Sequence, residues 1–166
     1  MKKVDIHIEI CKEGIKIPQY AKLGDAGLDI RAAENINILP NETKIIPTGI
    51  KVAIPEGYEI QVRPRSGLSV NTPLRISNSP GTIDSGFRNE IGIIINNTSN
   101  TIENTYCASL TIEEKGNRQG IYEIKKGDRI AQLVLKEVPT INWVVVDSVK
   151  DIGTDRQGGF GSSGVK

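Results

Sequence analysis

Residues 44–62 read KIIPTGIKVAIPEGYEIQV. Ile50, Val52 and Ile54 alternate with Lys51 and Ala53, and Tyr58, Ile60 and Val62 alternate with Glu59 and Gln61, the two-residue period of strands with one buried face. Pro47 and Pro55-Glu56-Gly57 place turn chemistry between them, so the stretch is too broken for a helix. The pattern continues outward in both directions. Ile6-Ile8-Ile10, Ile15-Ile17, Leu28-Ile30-Ala32, Ile36-Ile38 and Lys44-Ile46 come before its middle, and Ile91-Ile93-Ile95, Ile130–Leu135 and Ile141–Val146 come after it. About ten short strands in one chain predict an all-β fold, a sandwich or a barrel.

Composition agrees. The chain has 26 Ile and 11 Val against 8 Leu, 7 Ala and 1 Met, and β-branched side chains favour a pleated surface over a helix. With 17 Gly and 8 Pro to punctuate it, a helical bundle or a doubly wound α/β fold is excluded. At 166 residues the chain has the length of one domain, which buries roughly two-thirds of its unfolded surface and needs no disulfide or structural metal.

Charge and rare residues narrow the chemistry. A formal net charge of +1, from 21 Lys+Arg and 20 Asp+Glu, is too balanced for a protein that coats nucleic acid or an anionic membrane. Any bound anion must be held locally. The single histidine, His7, lies opposite the isoleucines of its run and reads as a solvent-facing strand residue, so a histidine triad or a His-rich metal site is not expected. Cys11 and Cys107 are too far apart for metal or redox spacing, and no segment reads as a signal peptide or membrane span. A reduced, cytoplasmic protein is the simplest expectation.

Several stretches could carry chemistry. Pro64-Arg65-Ser66-Gly67-Leu68-Ser69 offers an arginine fork, two hydroxyls and a glycine that lets backbone amides approach a phosphate, although such a turn is also common in β proteins. Gly81-Thr82-Ile83-Asp84-Ser85-Gly86-Phe87 reads as a hairpin-like stretch preceded by Asn78 and Pro80. With no plausible histidine a general base would be a carboxylate, and Asp84 is a candidate, while ordinary turn capping is the alternative. Asp29 interrupts an apolar alternation and could cap a turn or hold Mg²⁺ through water. Residues 154–166, rich in Gly and Ser, carry Arg156 and Phe160 and read either as a frayed tail or as a mobile arm that wraps a phosphate. The polar stretch from Asn96 to Gly120 fits a loop, a surface hairpin around Cys107-Leu110-Ile112 or a short helix near Leu110–Lys115.

Taken in order, Ala26-Gly27-Leu28-Asp29, Pro64–Ser69, Gly81–Arg88, Lys126–Leu133 and Asp155–Gly164 resemble the five motifs of the homotrimeric deoxyuridine triphosphatases, from about Ala26 to Gly164. The resemblance implies a distorted jelly roll that assembles as a trimer, with three sites at subunit interfaces. It divides the chain into a β domain at 1–153, with a polar insert at about 97–120, and a C-terminal arm at 154–166 that closes over a neighbour's site. The implied reaction is Mg²⁺-dependent hydrolysis of dUTP to dUMP and pyrophosphate, which limits uracil incorporation into DNA and supplies dUMP for thymidylate synthesis.

Carried over by motif, Asp84 activates the water that attacks the α-phosphorus, and Asp29 touches the metal through water. Arg65, Ser66 and Gly67 match the phosphate cradle, and Gln132 the polar contact beside the phosphates and water. Asn78 reads the uracil edge with the backbone of Gly81 and Ile83, and Phe87 packs under the deoxyribose. Arg156, Gly161, Ser162 and Ser163 match the arm's grip on the terminal phosphate, and Phe160 stacks on the uracil.

Three departures stand out. Phe87 replaces the usual tyrosine, Asn89 replaces the usual glycine after Arg88, and the 97–120 insert is roughly 15 residues longer than the family's short connection. The insert reads as surface decoration or as a contact for a regulatory protein. A dCTP deaminase shares the fold and the arginine-serine motif, but here Gly67-Leu68-Ser69-Val70-Asn71 follows without that family's second arginine. An interaction protein that uses the nucleotide as a switch, and a purely structural module, complete the alternatives.

Overall fold

The residues between Lys44 and Val62 fold as the alternation demands. In the computed structural model, which describes residues 2–100 and 109–155, β4 (Thr43–Pro47), β5 (Ile50–Ala53) and β6 (Tyr58–Arg63) follow one another across two turns. Ile60 and Val62 point into the core while Glu59, Gln61 and Arg63 line the outer face. Around them lie β1 (His7–Ile10), β2 (Leu28–Arg31), β3 (Ile36–Ile38), the short helix α1 (Ser66–Asn71), β7 (Leu74–Ile76), β8 (Gly81–Ile83), β9 (Gly92–Asn97), β10 (Ser109–Thr111), β11 (Ile121–Ile124) and β12 (Arg129–Glu137).

The strands form four small sheets ordered β1-β5, β10-β11-β3, β2-β12-β6-β8 and β4-β9-β7, a distorted jelly roll. One core joins them. Ile30, Ile38, Ile46, Ile93, Ile95, Tyr122, Ile124 and Ile130 are completely buried, so the isoleucine excess is what fills the interior. Each such side chain contributes about 1.5–3 kcal/mol on leaving water.

Several expectations need correction. Ile15 and Ile17 lie in an irregular segment, and Ile141–Val146 forms no strand and is exposed. A ladder needs a partner strand, and the described residues offer this apolar run none. The Arg65–Ser69 stretch is not a simple turn, because Ser66–Asn71 is helical. Ser, Gly and Val are weak helix formers, but buried Leu68 anchors the turn, Asn71 Nδ2 donates to the Gly67 carbonyl and Thr72 Oγ1 to the Leu68 carbonyl. The Gly81–Phe87 stretch is not a self-paired hairpin. Its first three residues pair with β6, and Asp84 to Phe87 closes a turn through the Phe87 N–H and the Asp84 carbonyl at 3.0 Å. His7 is solvent-facing as expected, yet Ile8 and Ile10 on the other side of β1 are exposed as well.

The 97–120 insert is more than surface decoration at its ends. Residues 101–108, with Cys107, lie outside the described residues, but Asn97, Ser99, Leu110 and Gly120 are buried. Leu110 sits on β10, which runs parallel to β11, and the Leu110–Lys115 helix does not form, while the hairpin expected around Cys107 falls partly outside the described residues. Asn97 Nδ2 donates to the carbonyls of Ile38 (2.9 Å) and Gly120 (2.8 Å), and its Oδ1 accepts from the Ser99 N–H. Asn97→Ala strands three buried backbone groups and is expected to cost about 2–4 kcal/mol, read as a lower urea midpoint. An unchanged midpoint would show that the insert is not tied into the fold.

Candidate functional site

Strand order decides where the sequence motifs meet. Gln132, near the middle of β12, pairs with Asp29 of β2 on one side and Arg63 of β6 on the other, so these three form a polar row on the outer face of the four-stranded sheet. Gly27 stands where it does because the Gln132 side chain fills the space, and a Cβ there would meet Gln132 Oε1 at 3.0 Å. A bulge between Arg129 and Ala131 buries Ile130 and Ala131 together and re-aims Arg129 toward the same outer face.

Arg65, just before α1, reaches back across the sheet. Its Nε donates to Asp29 Oδ1 at 2.8 Å, and its NH1 donates to the Arg129 carbonyl at 3.1 Å. Arg129 NH1 donates to the other carboxylate oxygen, Oδ2, at 3.1 Å. Asp29 and Arg65 are each only 22% exposed, so water screens their pairing less than it does at an open surface. Two guanidiniums around one carboxylate leave the cluster net positive, as an anion site requires. Beside it open two clefts of about 350 and 590 Å³, both lined by Gln19, Ala21 and Asp29, the smaller also by Gln132 and the larger by Arg129.

A second, smaller cavity of about 160 Å³ lies at the other end of the sheet. Val62, Ile83, Ile91, Ile94 and Phe87 give it apolar walls, and Asn78, Gly81 and Thr82 its polar ones. Gly81 is needed for close approach, since a Cβ would stand 3.0 Å from Asn78 Nδ2. β8 is the last strand of its sheet, so the backbone groups on its far side face the cavity region with no strand neighbour among the described residues. Asp84 follows β8 directly and is exposed.

The chain therefore brings the expected residues together in two groups rather than one. Asp29, Arg65 and Gln132 meet, with Ser66 and Gly67 exposed at the start of α1; Asn78, Gly81, Ile83 and Phe87 meet, with Asp84 beside them. Three strand steps separate β2 from β8, and Asp84 lies about four rungs along from the Asp29 row, which puts the two carboxylates on the order of 15–20 Å apart. Arg156, Phe160, Gly161, Ser162 and Ser163 lie outside the described residues. Sequence reasoning assigned no role to Arg129 or to the cavity walls Val62 and Ile94. Arg129 sat inside a quoted motif, but only the bulge shows where it points.

No group of three or more His, Cys, Asp or Glu side chains converges among the described residues. With both Asp29 oxygens taken by arginine, Mg²⁺ would meet this carboxylate through its own waters and draw its direct ligands from substrate phosphates, as that ion commonly does.

An arginine-bridged carboxylate at one edge of a sheet and a small, mostly apolar cavity beside an exposed aspartate at the other are the features this β fold holds open to a ligand. Comparison with known proteins narrows this further. The family model for dUTPase matches residues 13–108. A deoxyuridine 5'-triphosphate nucleotidohydrolase of Fusobacterium nucleatum is 40% identical over 99% of both chains. A variant dUTPase of Staphylococcus bacteriophage 80alpha, solved with dUpNHpp, superposes with a TM-score of 0.86 at 34% identity, covering 97% of this chain and 99% of that one. A variant dUTPase from phage phi11 of S. aureus, solved with a structural Mg(II) ion, gives 0.79 at 31% identity, covering 88% and 99%. The chain belongs to the dUTPase family, whose activity is that of a dUTP diphosphatase and whose cofactor is Mg²⁺.

Proposed function

We propose that this chain hydrolyses dUTP to dUMP and pyrophosphate in a site completed by neighbouring copies of itself in a homotrimer. The observation that carries this reading is the division of the site residues between opposite edges of one sheet. A water poised at the α-phosphorus cannot touch Asp84 and the Asp29–Arg65 cluster of the same chain, whereas copies packed edge to edge can place one chain's Asp84 beside another's Arg65. The segment after β12 supports the same assembly. Ile141, Trp143, Val144, Val145, Val149 and Ile152 are exposed, an apolar stretch that a second copy would cover.

In this reading Asn78 and the free edge of β8 at Gly81 and Ile83 pair with the uracil edge. Cytosine would leave buried donors and acceptors unmatched, and the walls around Phe87 hold the sugar. Asp84 accepts a proton from the water as it attacks, and Arg65, Ser66 and Gly67 take up the charge that develops on the phosphates. When bound, Mg²⁺ supplies charge neutralisation on the triphosphate, with Asp29 and Gln132 placed to hold its waters. The arm at 154–166, through Arg156, Phe160, Gly161, Ser162 and Ser163, closes over the ligand and excludes water. The cytoplasm, where a nucleoside triphosphate pool lies, is the compartment this substrate implies. No described helix is long and apolar enough to cross a membrane.

A second role has a specific observation behind it. Phage dUTPases related to this chain are described as controlling transfer of virulence genes by a G protein-like mechanism. A regulatory protein contacting the 97–120 insert would add to catalysis and would not replace it.

The reading is tested by offering dUTP, dCTP, dTTP and UTP in parallel and assaying pyrophosphate and ammonia. Pyrophosphate from dUTP alone is expected. Ammonia from dCTP would make the protein a deaminase, and silence on all four would leave only a binding or structural role.

A further inference from the structure

Asp29 is the one described carboxylate in the phosphate half of the site with both oxygens engaged by arginine, and it and its two partners lie on three separate elements, Asp29 on β2, Arg65 just before α1 and Arg129 on β12. Oδ1 takes the Arg65 Nε proton at 2.8 Å, Oδ2 takes an Arg129 NH1 proton at 3.1 Å, and the Arg129 carbonyl takes an Arg65 NH1 proton at 3.1 Å. A guanidinium carries five N–H donors in a fixed fork. Two of those on Arg65 are spent here, and they are the ones that fix both the tilt and the rotation of its plane. The rest, on NH2 and the remaining NH1 position, stay available for a phosphate.

Left alone, a side chain as long as arginine would have to be ordered by the ligand, and binding would lose that entropy. Arg129, re-aimed by the β12 bulge and half exposed, closes the other side of the carboxylate.

We propose that Asp29 is a positioning residue for Arg65, and that with Arg129 it forms a carboxylate clamp that pre-orients the Arg65 fork toward the triphosphate whether or not Mg²⁺ is bound. This rests on the dUTPase reading above and adds to it a metal-independent role for Asp29 and a role for Arg129. The clamp acts on binding of the phosphate chain and leaves the base slot, at the far edge of the sheet, untouched.

The experiment measures affinity for α,β-imido-dUTP by calorimetry, once with Mg²⁺ and once in EDTA, for the unmodified protein, Asp29→Asn, Arg129→Gln, Arg65→Lys and the Asp29→Asn/Arg65→Lys pair. Circular dichroism and melting curves check the fold. Losing a charge-assisted hydrogen bond from the clamp is expected to weaken Asp29→Asn by about 10- to 100-fold in EDTA as well as in Mg²⁺. Arg129→Gln, a half-exposed position unlike Asp29, is expected to fold normally and to weaken binding in the same direction in both media. In the Arg65→Lys background, where the fork is gone, Asp29→Asn should add little.

Deoxyuridine, which has no phosphate, should bind Asp29→Asn as it binds the unmodified protein when followed by ligand-observed NMR. A loss seen with Mg²⁺ but absent in EDTA would overturn the clamp and leave Asp29 with a metal role only. Additive losses in the double variant would overturn it too. Should Asp29→Asn fail to fold, unchanged binding by Arg129→Gln in EDTA would count against the proposal by itself. If the unmodified protein turned over no dUTP, the dUTPase reading would fall instead, a result separate from all of these.

Discussion

Asp84→Asn is expected to lower kcat on dUTP by on the order of 10²–10⁴-fold, the usual share of a general base, while an unreactive dUTP analogue still binds. The asparagine keeps the shape and the turn, because the Phe87 N–H bonds to the backbone carbonyl of residue 84 and not to its side chain. What disappears is the ability to take a proton from water. Asp84 is exposed beside the cavity and makes no structural ion pair among those formed by the described residues, so the loss should fall on kcat with little effect on the melting temperature. Full activity in Asp84→Asn would remove Asp84 from the mechanism.

Mixing two dead proteins is expected to reverse much of that loss. Asp84→Asn and Arg65→Ala each spoil one half of the site, and the halves lie at opposite edges of the same sheet. If each working site takes its aspartate from one chain and its arginine from the next, every trimer containing both variants has one interface where an intact Asp84 meets an intact Arg65. Random assembly from equal pools makes about three-quarters of trimers mixed with one sound site in three, so roughly a quarter of the unmodified activity should return. From two nearly inactive pools that is a gain of about 25- to 2,500-fold, given single losses of about 10²–10⁴-fold. Co-expressed variants assayed for pyrophosphate release give the answer. No recovery, with mixed trimers verified by mass, would place each site within a single chain.

Much of the scaffold could be read directly. Where a strand has one core face and one polar face, as in Tyr58–Arg63 or Gly92–Asn97, alternation alone locates it. Of the three-residue strands, alternation located Ile36–Ile38 but not Leu74–Ile76, Gly81–Ile83 or Ser109–Thr111, since three residues hold barely one period. Ile141–Val146 misled for a different reason. Apolar composition records that a side chain is meant to be covered, not which molecule covers it.

The site shows the same division. The motifs named Asp29, Arg65, Asn78, Asp84 and Gln132 in chain order, but their sorting into two groups follows from β12 lying between β2 and β6, a non-local pairing that no local pattern encodes. The helix at Ser66–Asn71 was missed because its stability comes from the burial of Leu68 and not from its own propensity.

Trp143 is the only tryptophan in the chain and is 83% exposed, in the middle of the uncovered segment that follows β12. Indole emission depends on whether water or protein surrounds the ring, so the protein carries a built-in optical reporter at the place where another chain would rest. Because that ring lines neither the Asn78–Phe87 cavity nor the clefts beside Asp29, its colour can follow association without being confused with occupancy by nucleotide.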